Sequence, residues 1–171
     1  MPVTPAEFRQ IMRHFATGIT VVTTVRPDGS YYGITVNSFT SVSLDPPLVL
    51  ICIDKKTEAN RILPQSGIFC VNILHEGQQY LSDRFAGRDP NNLKPFEDLA
   101  IHPGATGAPV FDDSLGFADC RIVATYEGGD HNIFLAEIER VGTAAAVEGK
   151  GEEAGPLLYF RSSYQYVKKQ P

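Results

Sequence analysis

Residues 19–53 read ITVVTTV-RPDGS-YYGITVNSFTSVSL-DPP-LVLICI, and this stretch decides the fold. Ile19 to Val25 is rich in Val, Ile and Thr, side chains that suit a pleated, half-buried surface. Pro27-Asp28-Gly29 is a turn, and Tyr31 to Val36 resumes β character, so residues 19–36 predict a hairpin. Phe39 to Leu44 is another short strand, closed by Asp45-Pro46-Pro47. Leu48 to Ile53 is apolar throughout and predicts a strand covered on both faces. The strands follow one another through turns rather than alternating with long helices. That favours an antiparallel barrel over a doubly wound sheet.

Working outward, Thr4-Pro5-Ala6-Glu7 is a capping box with Pro at the first helical position. Phe8, Ile11, Met12 and Phe15 follow at i, i+3, i+4 and i+7, and Gly18 is the expected stop. This apolar face is read first as core packing and second as an intersubunit contact. Thr57 to Leu63 predicts a short helix with Ala59, Ile62 and Leu63 inward, ended by Pro64 and Gly67. Ile68 to Leu74 is a buried strand, and Gln78 to Phe85 a short helix. Residues 86–109 hold seven Gly or Pro and little period, the mark of a functional loop such as a lid or interface arm, or of short helices. Leu115 to Glu127 and Asn132 to Val147 form a long hairpin across Gly128-Gly129-Asp130-His131. Gly149 to Gly155 is a polar surface loop, and Pro156 to Phe160 a last strand, giving seven or eight strands.

The 171 residues predict a single domain, residues 1–171. With 43% hydrophobic and 20% charged residues, the chain can bury a core, which excludes disorder. No apolar run approaches the ~18 residues of a membrane span, and no signal segment opens the chain, so the expected location is the cytoplasm. A net charge of −5 disfavours a nucleic-acid partner. Cys52, Cys70 and Cys120 are widely spaced and form no CxxC pair, so they are expected as reduced, mostly buried thiols. The nearest glycine-rich match to a dinucleotide fingerprint, Gly149 to Gly155, has the wrong spacing and no helix after it. The four histidines lie far apart, no metal is expected, and there is no nucleophile elbow.

One segment stands apart. Thr35 to Pro47 packs small hydroxyl and amide side chains between two β runs. It reads either as a polar strand connection or as a pocket wall along which the backbone approaches a flat polar ligand. That run, with Leu48 to Asp54, Phe69 to Leu74, Arg84-Phe85, Gly129-Asp130-His131 and the opening Phe15 to Thr23, resembles the flavin reductase-like family, whose fold is the FMN-binding split barrel. The likeness covers nearly the whole chain in order. It is nearest to the short NAD(P)H:flavin oxidoreductases that supply two-component monooxygenases.

The resemblance implies a mainly β, Greek-key-like split barrel with a few flanking helices. It implies FMN or FAD, and NADH or NADPH, as cofactors, a homodimer, and a partner flavin-dependent monooxygenase reached through diffusible reduced flavin. Thr35, Val36, Asn37 and Ser38 would line the flavin ring, and Cys52, Ile53 and Asp54 would run beside the ring and ribityl chain. Lys55, Lys56 and Thr57 fall where the family meets the flavin phosphate. Chemically that suits a point cation and a helix start that Thr57 could cap, although two solvated lysines would read the same. Arg84-Phe85 matches a pair near the phosphate or adenine end, and Arg84 alternatively forms an ion pair with Asp83 or Asp89. Asp130 and His131 match a nicotinamide-binding motif; hairpin-turn chemistry explains the glycines and Asp130 but not His131. Tyr159 would border the nicotinamide, whereas Ser162-Ser163-Tyr164 departs from the family's Gly-Arg-Tyr. The alternative is a flavin-binding electron-transfer protein, or a reductase holding its flavin for another acceptor. A pyridoxamine-phosphate-type oxidase ranks last, since Lys55 and Lys56 supply too little positive charge.

Overall fold

The computed structural model describes residues 2–87, 96–143 and 154–167. In chain order the elements are α1 (Pro5–Met12), β1 (Thr17–Gly18), β2 (Thr20–Val25), β3 (Tyr31–Val36), β4 (Thr40–Leu44), β5 (Pro47–Asp54), α2 (Glu58–Ser66) and β6 (Ile68–Ile73). A 3-10 turn at Glu76–Gln78 leads into α3 (Gln79–Phe85). Then come β7 (Ile101–Pro103), β8 (Pro109–Phe111), β9 (Gly116–Gly128), β10 (His131–Thr143), β11 (Leu158–Phe160) and β12 (Ser163–Gln165).

Seven strands form one antiparallel sheet in the order β3-β2-β6-β9-β10-β5-β4. The two edge strands, β3 and β4, are consecutive in the chain, joined only by Asn37, Ser38 and Phe39. In a flat sheet those edges would lie roughly 29 Å apart. The link from Val36 to Thr40 spans at most about 14 Å. The sheet therefore curls until its edges meet, which makes it a split barrel, and the connection at residues 37–39 lies at the closure.

The barrel interior is filled by Val22, Val49, Ile51, Ile53, Phe69, Val71, Cys120 and Phe134, with Ala59 and Leu63 of α2 at its end. A second cluster, including Ile19, Leu74, Leu81, Phe85, Phe111 and Leu157, packs α3, β8 and the C-terminal segment against the outside of β2. Asn72 is wholly buried and ties these layers together: its amide donates to the Val21 carbonyl at 3.2 Å and accepts from the Phe111 N–H at 2.8 Å. Cys52, Cys70 and Cys120 are free thiols, the last two buried.

Several expectations need correction. Gly18 does not stop the first helix; α1 ends at Met12, and Thr17–Gly18 pairs with β11 as a short strand. The apolar face of α1 is not core: Phe8 and Phe15 are 57% and 68% exposed, and no α1 residue is buried. Strand β5 is not covered on both faces. Val49, Ile51 and Ile53 point into the barrel, while Leu48, Leu50 and Cys52 point outward and are only half-buried. Pro64 does not end α2 but sits inside it, and Gly67, with φ +69°, is the stop. Strand β12 and the β7–β8 pair escaped the sequence, because three-residue strands carry no readable period. Val147, and residues 88–95 and 149–153 of the loops at 86–109 and 149–155, lie outside the described residues.

Candidate functional site

The closure of the barrel gathers most of the expected residues. Thr35 and Val36 end β3, and Asn37 and Ser38 make the crossing. The Ser38 hydroxyl donates to the Cys52 carbonyl at 2.7 Å and accepts from the Cys52 N–H at 3.2 Å. These two bonds fasten the crossing to β5, so residues 35–38 and 52–54 form one continuous surface. Ile53 is 1% exposed, which leaves only its backbone for that surface.

An open cleft of about 170 Å³ lies at the β3 end of this surface, lined by Ile19, Thr35, Val36, Asn37, Ser82, Ala86, Tyr159 and Tyr164. The strands, α3 and the C-terminal β11–β12 hairpin thus meet around it. The Thr35 hydroxyl donates to the Ser82 carbonyl at 2.7 Å, which fixes α3 beside β3. Tyr159 and Tyr164 face each other across β11 and β12, their rings edge-to-face with centroids 5.7 Å apart. Ser82 was not singled out in the sequence, where the helical reading of Gln78 to Phe85 was the only signal for it, and Tyr164 was named only within the run that departs from the family's Gly-Arg-Tyr.

At the other end the chain turns after Asp54. The Asp54 carboxylate accepts from the Lys56 N–H at 2.8 Å, and the Asp54 carbonyl accepts from the Thr57 N–H and hydroxyl at 3.0 and 2.7 Å. Thr57 is the N-cap residue of α2, but its hydroxyl is spent on Asp54 and does not cap the helix amides. Lys55 reaches the exposed Glu127 at 3.5 Å. The β9–β10 hairpin brings Asp130 and His131 to this turn. His131 is in register with Asp54, and the Lys55 N–H donates to the Asp130 carbonyl at 3.0 Å. Gly129, with φ +74°, stands first in the two-residue loop, the place where a type II′ turn needs glycine.

His131 Nδ1 lies 2.8 Å from the Asp130 carboxylate. The carboxylate there places a proton on Nδ1 and fixes the ring, which leaves Nε2 as its other hydrogen-bonding nitrogen. That bond, with the charge of His131 and then Lys56, holds Asp130 below the usual carboxylate range.

Arg84 and Phe85 are placed differently. Arg84 makes a bidentate pair with Asp98 at 2.7 and 2.9 Å, a partner the sequence reading did not name. Asp89, one of the two partners that were named, lies outside the described residues. The Phe85 ring is 6% exposed and packs on Phe96 and Phe111, with centroids 5.0 and 5.6 Å away. It is a core side chain backing the cleft, reached from outside only through its neighbours. Among the described residues no His, Cys, Asp and Glu cluster is arranged for a metal, and no helix is long and apolar enough to cross a membrane.

Comparison with known proteins completes the picture. A family model described as "Flavin reductase like domain" matches residues 12–168. The reductase subunit HsaB of a flavin-dependent monooxygenase from Mycobacterium tuberculosis H37Rv is 34% identical, over 98% of this chain and 85% of the relative. A flavin reductase (NADH) from Kitasatospora aureofaciens is 39% identical, over 92% of this chain and 78% of the relative. The structure of the Streptomyces globisporus NADH:FAD oxidoreductase SgcE6 with NAD and FAD fragments superimposes with a TM-score of 0.84 at 32% identity, covering 98% of this chain and 97% of that one. With the split barrel and its closure surface in place, these matches show that the chain belongs to the flavin reductase-like family.

Proposed function

We infer that this protein is an NADH-dependent flavin reductase that supplies reduced flavin to a partner monooxygenase. The observation that carries this reading is the family match, which spans the barrel and every element around the closure. NADH would supply the hydride and flavin would accept it when both are bound, so the residues here would hold two flat rings aligned for that transfer.

The residues suit that task. The cleft offers Thr35 and Asn37 as polar edges, Ile19, Val36 and Ala86 as apolar walls, and two tyrosine rings. A dry cavity of roughly 150 Å³ takes a benzene-sized ring. The cleft volume therefore supports one ring of a fused tricycle seated there, with the rest lying along residues 37, 38 and 52. Lys55, Lys56 and the start of α2, whose amides Thr57 leaves uncapped, offer positive charge for a flavin phosphate. His131, its ring fixed by Asp130, would help to place the nicotinamide cofactor. Tyr159 borders the cleft where the second ring would stack. The exposed apolar side chains Phe8, Ile11 and Met12 on α1, and Phe15 just after it, support a homodimer that covers them.

NADH oxidation followed at 340 nm tests the reading. Oxidation that requires added flavin, with FMN and FAD compared for preference, is the expected result. A yellow protein that NADH does not bleach would instead mark a flavin carrier or an enzyme for another acceptor. Light scattering on a sizing column is expected to give twice 18.7 kDa.

A further inference from the structure

Three separate pieces of chain wall the cleft, and one residue joins them. Ser82 is 1% exposed. Its carbonyl accepts from the Thr35 hydroxyl at 2.7 Å, which ties α3 to β3. Its hydroxyl lies 2.9 Å from the Tyr164 hydroxyl, which also donates to the Asp83 carboxylate at 2.7 Å. The C-terminal hairpin is thus tied to the same point of α3. Strand β12 needs such a tie. It is a three-residue strand, paired among the described residues only with β11, and the turn before it places Arg161 and Ser162 at φ +51° and +63°. Tyr166 adds a second tie, its hydroxyl donating to Gln79 at 2.7 Å, but Tyr166 does not line the cleft. Tyr164 does both.

We propose that Tyr164 is a positioning residue: its hydroxyl, held by Asp83 and Ser82, sets the β11–β12 hairpin against α3 and so fixes the Tyr159 wall on which the second ring must align. The idea rests on the reading of the cleft as the place where flavin and nicotinamide meet. A small misplacement of stacked rings lowers the rate far more than the affinity, because hydride transfer depends steeply on the distance between the reacting atoms. The effect of losing the hydroxyl therefore falls mainly on kcat, with a smaller effect on the nicotinamide KM and none on flavin affinity.

The test is Tyr164→Phe, which keeps the ring and removes the hydroxyl. Four quantities are measured beside the wild type: NADH oxidation with added flavin, flavin affinity by fluorescence quenching, Tm, and amide hydrogen exchange of residues 158–165. The expected result is faster exchange across the hairpin and kcat about tenfold lower. Flavin affinity should stay within twofold and Tm within a few degrees. Asp83→Ala should reproduce this pattern. Asp83→Asn, whose side-chain oxygen still accepts, should recover most of the loss, and the Tyr164→Phe/Asp83→Ala pair should lose no more than either single change. Unchanged kcat in active protein overturns the proposal, and so does a loss of rate matched by loss of flavin affinity and Tm, which marks general destabilisation. Wild-type protein that does not oxidise NADH with any flavin overturns the reading of the cleft, and this proposal with it.

Discussion

Helices α1 and α2 are near opposites. Helix α1 has every local signal: Thr4 and Glu7 form a reciprocal capping box, Pro5 opens the first turn, and the apolar residues recur at helical spacing. Yet it buries nothing in this chain. Helix α2 has no side-chain cap and carries Pro64 inside it, but it buries Ala59, Ile62 and Leu63, and Arg26, just after β2, grips Glu58 at its start. Short helices are marginal on propensity alone and gain most of their stability from packing. Local signals therefore say where a helix starts, whereas the tertiary partner decides what it is worth.

The sharpest way to test that difference is to truncate one apolar side chain in each helix. Leu63→Ala opens a hole at the end of the barrel core and is expected to cost about 2–5 kcal/mol of unfolding free energy, read by urea denaturation. Ile11→Ala removes a side chain that is 66% exposed and is expected to change unfolding of the dilute chain by no more than about 0.5 kcal/mol. At higher concentration the two proteins should separate. If α1 is covered by a second copy, wild-type stability rises with concentration and that of Ile11→Ala rises less. Equal losses from the two substitutions at low concentration would break the comparison.

The cap gives the next smaller effect. Thr4→Ala removes the hydroxyl that accepts from the Glu7 N–H at 3.2 Å and should cost helix α1 about 1 kcal/mol. Because α1 packs on so little, the loss should show as faster amide exchange in residues 5–12, with global unfolding nearly unchanged. The corresponding Thr57→Ala at α2 is expected to act through the turn instead, since that hydroxyl bonds the Asp54 carbonyl.

The same division explains what the sequence could tell. The barrel strands were legible because runs such as Ile19 to Val25 and Leu48 to Ile53 are long, β-branched and bounded by turns. The capping box of α1 was legible because it is local. The side on which α1 packs was not, because an apolar stripe looks alike whether it faces a core or another molecule. At the site, the segment from Thr35 to Ser38 was legible as unusual, but its bonds to Cys52 and Ser82 span 14 and 47 residues. Asp98, a partner of Arg84, lay fourteen residues on, beyond any helical spacing. Phe85 read as a site residue and is a core ring, because nothing local distinguishes a wall from its backing.

Acid gives the smallest effect and tests the two helix starts together. The Thr4 backbone and hydroxyl bonds hold Glu7 below its ordinary pKa, and Arg26 does the same for Glu58. Both groups are depressed in the folded state, so their contribution is complete above the unfolded value near 4.5 and is lost as pH falls through the folded values. The Glu58 side chain is 41% exposed, so screening limits its share to about 0.5 kcal/mol. The readouts should nevertheless differ. As pH falls below about 4.5, amides of α1 should lose protection without any shift in the global midpoint. Part of the fall in global stability should disappear in Glu58→Gln, because that carboxylate joins α2 to Arg26 and the sheet. A Glu58→Gln profile parallel to the wild type would mean that the Arg26 contact, like most exposed ion pairs, adds nothing, and that burial of Ala59, Ile62 and Leu63 alone holds α2 in place.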